Sequence, residues 1–342
     1  MNPDVVGRAA GDPPEVRFSI VGCGEVTEVK SGPAFQRVPG SSLTAVMRRD
    51  AAKAEDYARR HGVPRWTTEA REVIFADDVD AVYVATPPNA HAPYVHMAAE
   101  AGKPVYVEKP MGMTLLECET MNDACRRAGV PLFVAYYRRA LPRFERVRAL
   151  IAEGAIGTPR TVRVTLTQPT PEEARTGWRF DPLVAAGGLF VDLGSHTFDL
   201  LDHWLGPVTD VSARAVARHP GGRVEDEVSA RFSFENGVHG VGVWAFDVPV
   251  VQDEVQITGT AGRVSVPMFM DGPVVHVGAD GQERREEIAH PAHVQEPLIR
   301  QMVDELRGVG GPCVSTGVSA ARTQGVLDAV LHEQRRGRVR GS

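Results

Sequence analysis

Between residues 17 and 135, short apolar runs alternate with helical stretches, and this alternation limits the possible folds more than any other feature of the chain. The runs are 17–21 (Arg-Phe-Ser-Ile-Val), 43–47, 80–85 (Asp-Ala-Val-Tyr-Val-Ala), 105–107 (Val-Tyr-Val) and 131–135. The stretches between them include 51–60, a segment ending at Ala101, and 115–128. Strands joined by helices at this spacing predict a parallel, doubly wound α/β sheet of the dinucleotide-binding, Rossmann type. Such sheets bind ligands outside the carboxyl ends of their strands. The residues that follow each run are therefore the first to read for function.

The first run leads into Gly22-Cys23-Gly24, then Val26 and Thr27. Glycines there permit a tight turn and a close backbone approach to a pyrophosphate. The third glycine of the usual fingerprint is replaced by Thr27, and Pro33 interrupts the helix that follows. The second run ends in Arg48-Arg49-Asp50. An acidic residue at this place binds the ribose 2′-hydroxyl of NAD, whereas arginine accommodates the 2′-phosphate of NADP. Two arginines favour NADP, since a guanidinium stacks and forks onto phosphate. Asp50 is then free to cap the helix over 51–60, with NAD as the alternative cofactor.

The run at 80–85 continues into Thr86-Pro87-Pro88-Asn89-Ala90-His91. Prolines hold this edge extended. Asn89 reads as a helix cap and His91 as a surface residue, or both as contacts to the cofactor ribose. The run at 105–107 ends abruptly in Glu108-Lys109-Pro110. Only Lys30, Lys53, Lys103 and Lys109 of the 38 basic residues are lysine. An ammonium at the end of an apolar strand is placed for proton chemistry, against the alternative of a snorkelling surface lysine.

A chain of 342 residues holds two domains more readily than one. Its net charge of −6 argues against a nucleic-acid or anionic-membrane surface. No apolar run approaches the roughly 20 residues of a membrane span. Residues 1–15 are polar, lack a secretion-signal core and read as a disordered leader. Cys23, Cys118, Cys125 and Cys313 show no C-x-x-C spacing and read as reduced thiols of a cytoplasmic protein.

Beyond Tyr136 the pattern changes. Alternating segments at 161–167, 211–217, 227–234, 238–246 and 254–258 read as a largely antiparallel open sheet, one face covered and the other suited to self-association as a homodimer or homotetramer. Helices are expected over 143–153, 296–307 and 319–335. The expected organisation is a leader (1–15), a dinucleotide-binding domain (16–136) and an α+β domain for substrate and self-association (137–342). Asp192 and His196 are four apart, which on a helix puts them on one face. That spacing also suits a surface pair or half of a metal site, but no further ligands stand at fitting spacing. Asp199 and His203 continue the same stripe.

Gly22-Cys23-Gly24, Ala85-Thr86-Pro87-Pro88 with His91, and Glu108-Lys109-Pro110 together resemble the Gfo/Idh/MocA oxidoreductases, which include glucose–fructose oxidoreductase, inositol dehydrogenases and dihydrodiol dehydrogenases. The resemblance continues through Trp178-Arg179 and the Gly187-Gly188 to His196 stretch, in an order that is specific. It implies an NAD(P)-dependent enzyme acting on a hydroxyl or carbonyl of a sugar, cyclitol or small diol. It also implies a catalytic set of Lys109, Asp192 and His196, with His196 as the main acid/base and Asp192 orienting it or sharing its role. Tyr137, Trp178 and Arg179 fall where the substrate pocket is expected, although family members often carry asparagine near Tyr137. The competing functions are an NAD-dependent glycoside hydrolase with a retained cofactor and a non-enzymatic NADP sensor.

Overall fold

The computed structural model describes residues 13–339 apart from Ala186 and Gly221. The expected leader therefore falls, through residue 12, outside the described residues. The first sheet has six parallel strands: β1 (Val16–Val21), β2 (Ser41–Met47), β3 (Arg65–Thr67), β4 (Ala81–Val84), β5 (Val105–Val107) and β6 (Leu132–Val134). Their order is β3-β2-β1-β4-β5-β6, so the sheet reverses its direction of growth between β1 and β4. β4, β5 and β6 are buried on both faces, as a parallel sheet covered by helices requires.

The covering helices are α1 (Glu25–Val29), α2 (Gly32–Arg37), α3 (Ala51–His61), α4 (Ala70–Ile74), α5 (His91–Glu100) and α6 (Leu115–Ala128). Local chemistry sets their ends. Asp50 accepts the Lys53 N–H at the start of α3, and Thr114 accepts that of Glu117 at the start of α6. Gly62 and Gly129 close the same helices in the left-handed conformation. β3 is a correction to the sequence reading: three half-polar residues carry no strand signal and are strand only because β2 offers an edge.

The second sheet has eight strands: β7 (Pro159–Thr167), β8 (Val208–Val216), β9 (Glu227–Phe234), β10 (His239–Ala245), β11 (Gln252–Gly259), β12 (Gly262–Val266), β13 (Val274–Gly278) and β14 (Glu283–Glu286). All neighbours run antiparallel except β7 and β10. The inner face packs on α7 (Pro142–Ala152), α9 (Ser195–Leu205) and α11 (Gly317–Val339), with Phe232 edge-on and Trp244 tilted against Phe198 of α9. The outer face leaves Val241 and Val243 exposed. Beyond 258 the strands β12 to β14 lie outside what the sequence predicts, because short, partly charged segments become strands only through hairpin pairing. Helices α8 (Pro182–Ala185) and α10 (Glu296–Leu306) complete the chain.

The two sheets are not independent. Residues 313–316 return to β6, where Val134 and Ser315 exchange hydrogen bonds and blunt an otherwise open edge. Just past β6, Arg139 forks onto Asp199 at 2.8 Å through two nitrogens and reaches Asp202, which Arg322 of α11 also grips. Asp199 therefore faces inward as the anchor of α9, and His203 meets Glu145 of α7. Breaking a buried pair strands an uncompensated charge, so Arg139→Met is expected to cost about 3–5 kcal/mol of unfolding free energy. Urea denaturation checks this, and an unchanged midpoint would refute the anchoring role.

Candidate active site

A cavity of about 670 Å³ opens along the carboxyl edge of the first sheet and runs between it and α9. It lies over the β1/β4 reversal, where this topology leaves a crevice. The residues after β1, β2, β4 and β5 line it from one side, and Tyr137, Trp178, Arg179, Asp192 and His196 line it from the other.

Gly22, at φ +93°, turns the chain directly under the end of β4. A Cβ there would stand 2.7 Å from the Thr86 methyl, so only glycine fits. Gly24 and Val26 line the cavity, but Thr27 does not: its buried hydroxyl bonds both the N–H and the carbonyl of Gly24. The residue in the third glycine position thus braces the turn and touches nothing in the cavity. Arg48 and Arg49 both reach the cavity, and Arg48 crosses back to the Cys23 carbonyl at 3.0 Å. Asp50 lines it too, although its carboxylate is engaged as the α3 cap.

Thr86 and Pro87 line the cavity. Asn89 and His91 do not. Asn89 donates to the Leu183 carbonyl and borders a smaller neighbouring cavity; it does not cap α5, whose cap position is Ala90. His91 is fully buried, its Nε2 2.7 Å from the Thr86 carbonyl and its Nδ1 3.1 Å from those of Pro110 and Met111, and as a neutral ring it donates its single N–H to one of these two sides. Its imidazole ties together the two strand ends that flank the cavity, and the surface-residue reading is incorrect.

Glu108 lies at the cavity floor. Tyr83 and Gln295 both donate to its Oε1 at 2.7 Å, and the Lys109 N–H reaches Oε2. Gln295 also accepts from Tyr106 at 2.8 Å and bonds the Lys30 carbonyl through its own N–H. This one side chain fastens the second half of the chain to the strand that carries Lys109. Sequence reading missed Gln295, along with the cavity-lining Lys30, Arg138 and Phe269. No motif marks them, because they come from a helix end and from loops brought in by the fold.

Lys109 donates from Nζ to both the carboxylate and the main-chain carbonyl of Asp192. The carbonyl is available because Phe190–Gly194 forms a wide π turn ahead of α9. Gly188, at φ +63°, begins that approach where a Cβ would collide with Val224. The i,i+4 helical pair expected of Asp192 and His196 is thereby modified. Asp192 turns to Lys109 and to Arg179 at 3.3 Å, and among the described residues no hydrogen bond joins it to His196. Burial raises the Asp192 carboxyl, but Lys109 and Arg179 outweigh it and hold the group below the usual carboxylate value.

His196 is buried edge-on to Tyr137 at 5.3 Å and Phe269 at 6.2 Å, and its Nδ1 has no hydrogen-bond partner among the described residues. Burial, then the charges of Lys109, Arg138 and Lys30, push its pKa well below 6.5. Among the described residues no cluster of His, Cys, Asp and Glu could hold a metal ion. All four cysteines are free and buried, and no described helix is long and apolar enough to cross a membrane.

Residues 16–136 match the oxidoreductase family with an NAD-binding Rossmann fold, and residues 144–265 match the GFO/IDH/MocA C-terminal domain. The chain belongs to the Gfo/Idh/MocA family of oxidoreductases, as its motifs led us to expect. Oxidoreductase P35 of Formosa agariphila is 36% identical over 84% of this chain and 90% of its own length. The 1,5-anhydro-D-fructose reductase of Ensifer adhaerens is 31% identical over 81% and 84%. The crystal structure of aldose–aldose oxidoreductase from Caulobacter crescentus, complexed with glycerol, superposes with a TM-score of 0.83 at 25% identity, covering 94% of this chain and 98% of that one.

The buried imidazoles have a consequence for stability. Burial lowers His91 and His196, and partial burial beside Arg143 and Arg138 brings the half-buried His290 down to about 4. In the unfolded chain all three titrate near 6.5. Below about pH 6.5 the unfolded state therefore binds more protons, and stability present above that pH is lost on acidification. The unfolding temperature is expected to fall between pH 7.5 and 5, with a smaller fall in His91→Gln. A flat profile in the parent protein would contradict buried neutral histidines.

Proposed function

We propose that this oxidoreductase uses NADP(H), in preference to NAD(H), to interconvert a hydroxyl and a carbonyl on a sugar, cyclitol or related polyol. The observation that carries this reading is the meeting of Lys109 from the β5 end with Asp192 and His196 from the α9 entrance in one cavity. Arg48 and Arg49 line that same cavity at the end of β2, where a 2′-phosphate is received in this topology. The glycine turn at Gly22 offers the close backbone approach a dinucleotide needs. The sugar reductase among the relatives supports the substrate class. Hydrolysis with a retained cofactor and sensing without turnover are not favoured, since the relatives are named for oxidation or reduction.

Bound nicotinamide supplies the hydride acceptor for oxidation and the donor for reduction. The protein's part is position and proton transfer. Lys109 donates to the reacting oxygen and stabilises the negative charge that grows there as its proton leaves. Asp192 keeps the ammonium aimed by holding it at two oxygens. His196, neutral and with Nδ1 unpartnered, takes the hydroxyl proton in oxidation and returns one to the carbonyl oxygen in reduction. Burial and the surrounding positive charges make its protonated form short-lived, so the proton passes on to solvent. Trp178 and Arg179 close the substrate end. Copies of the chain associate through the outer face of the second sheet, where Val241 and Val243 are exposed.

Lys109→Met is expected to lower turnover by about 10²–10⁴-fold with NADPH affinity nearly unchanged. Stopped-flow turnover beside fluorescence titration decides it, and wild-type turnover would remove Lys109 from the mechanism. Replacing Arg48 and Arg49 together with alanine should weaken NADPH far more than NADH. Equal losses for the two cofactors would refute the 2′-phosphate contact.

A further inference from the structure

Arg138 and Arg139 are neighbours and both are buried, at 9% and 3% exposure, yet only one has a counter-charge. Arg139 is neutralised by Asp199 and Asp202. Among the described residues no carboxylate pairs with Arg138. Its Nη1 donates to the Met268 carbonyl, its guanidinium lies 4.5 Å from the Phe269 ring centre, and its Nε is buried without a partner. Asp253 acts on it electrostatically, but that carboxylate already accepts the N–H groups of Met268, Phe269 and Met270.

Arg138 lines the cavity within electrostatic reach of His196, and so does Lys30, whose side chain forms no ion pair among the described residues. With Lys109 and Arg179 they make, among the described residues, four cations around the reacting end, facing the carboxylates of Asp192 and Glu108. Both carboxylates are engaged: Asp192 by Lys109 and Arg179, Glu108 by Tyr83 and Gln295. Glu25 and Asp50, the other acidic residues of the cavity, follow β1 and β2 beside Arg48 and Arg49. Two positive charges are thus left over where the substrate binds. An oxidised nicotinamide ring is itself cationic and adds to the excess. A buried guanidinium without a counter-charge is costly, and an anionic ligand group removes that cost through charge-assisted hydrogen bonds.

We propose that the substrate is an anionic sugar derivative, a sugar acid or sugar phosphate, whose carboxylate or phosphate is held by Arg138 and Lys30 while its reacting hydroxyl meets Lys109. This rests on the oxidoreductase reading and narrows its substrate class.

Matched pairs test it: D-gluconate against D-glucitol, and D-glucuronate or D-glucose 6-phosphate against D-glucose, each with NADP. The anionic member is expected to show about 100-fold higher kcat/KM, mainly through KM, and the better of carboxylate and phosphate identifies the group. In Lys30→Met, which alters an exposed side chain, that preference should fall about tenfold. A neutral member turned over as well as its anionic partner overturns the proposal and leaves the oxidoreductase reading intact. If no pair is turned over, calorimetric titration of the NADP-saturated protein with D-gluconate and D-glucitol decides. Preferential gluconate binding that weakens in Lys30→Met supports the proposal, and equal or absent gluconate binding overturns it.

Discussion

The contact on which the site depends is the grip of Asp192 on the Lys109 ammonium. Lys109 ends a strand of the first sheet, and Asp192 belongs to the turn that opens α9. Neither half of the chain makes the site without the other. Gln295 reinforces this from below, since its three bonds to Tyr106, Glu108 and Lys30 leave the strand end little freedom. Such support matters because displacing a catalytic group by about an ångström can cost on the order of a hundredfold in rate.

Charge organises the surroundings of that contact. Arg139, Asp199, Asp202 and Arg322 form a closed network that satisfies its own charges and fixes α9 against the first sheet and α11. Arg138, one residue earlier, has no carboxylate partner among the described residues and faces the cavity. The excess has two effects. It adds to the burial that keeps His196 neutral, and on our proposal it makes the cavity a place where an anion is better accommodated than a neutral polyol. The π turn serves the same end by turning a backbone carbonyl toward Lys109, so part of the negative partner is a dipole that cannot be protonated.

Much of the candidate site was legible because a parallel sheet delivers its strand ends to one edge. Gly22, Arg48, Thr86 and Lys109 are far apart in sequence, yet each follows a short apolar run, and strand periodicity alone put them together. The same logic failed at Thr27, Asn89 and His91. They lie in the right segments, but sequence cannot say which way a side chain turns, and hydrogen bonds turned all three away, Thr27 to its own turn and Asn89 to the distant Leu183 carbonyl. Asp50 carried both readings, ribose contact and helix cap, and the capping bond formed.

By itself the sequence determined the parallel sheet, its order of glycine turn, arginine pair and Glu-Lys-Pro end, and the family to which the chain belongs. These follow from local periodicity and from motifs whose spacing is kept within a few residues. Only the tertiary structure decided that Asp192 turns to Lys109 and away from His196, that Gln295 braces the strand end, and that Arg138 is buried with no carboxylate partner among the described residues. The reason is physical. Burial, a widened helical turn and the balance of charge in a closed cavity are sums over groups from many parts of the chain, and no local stretch contains them.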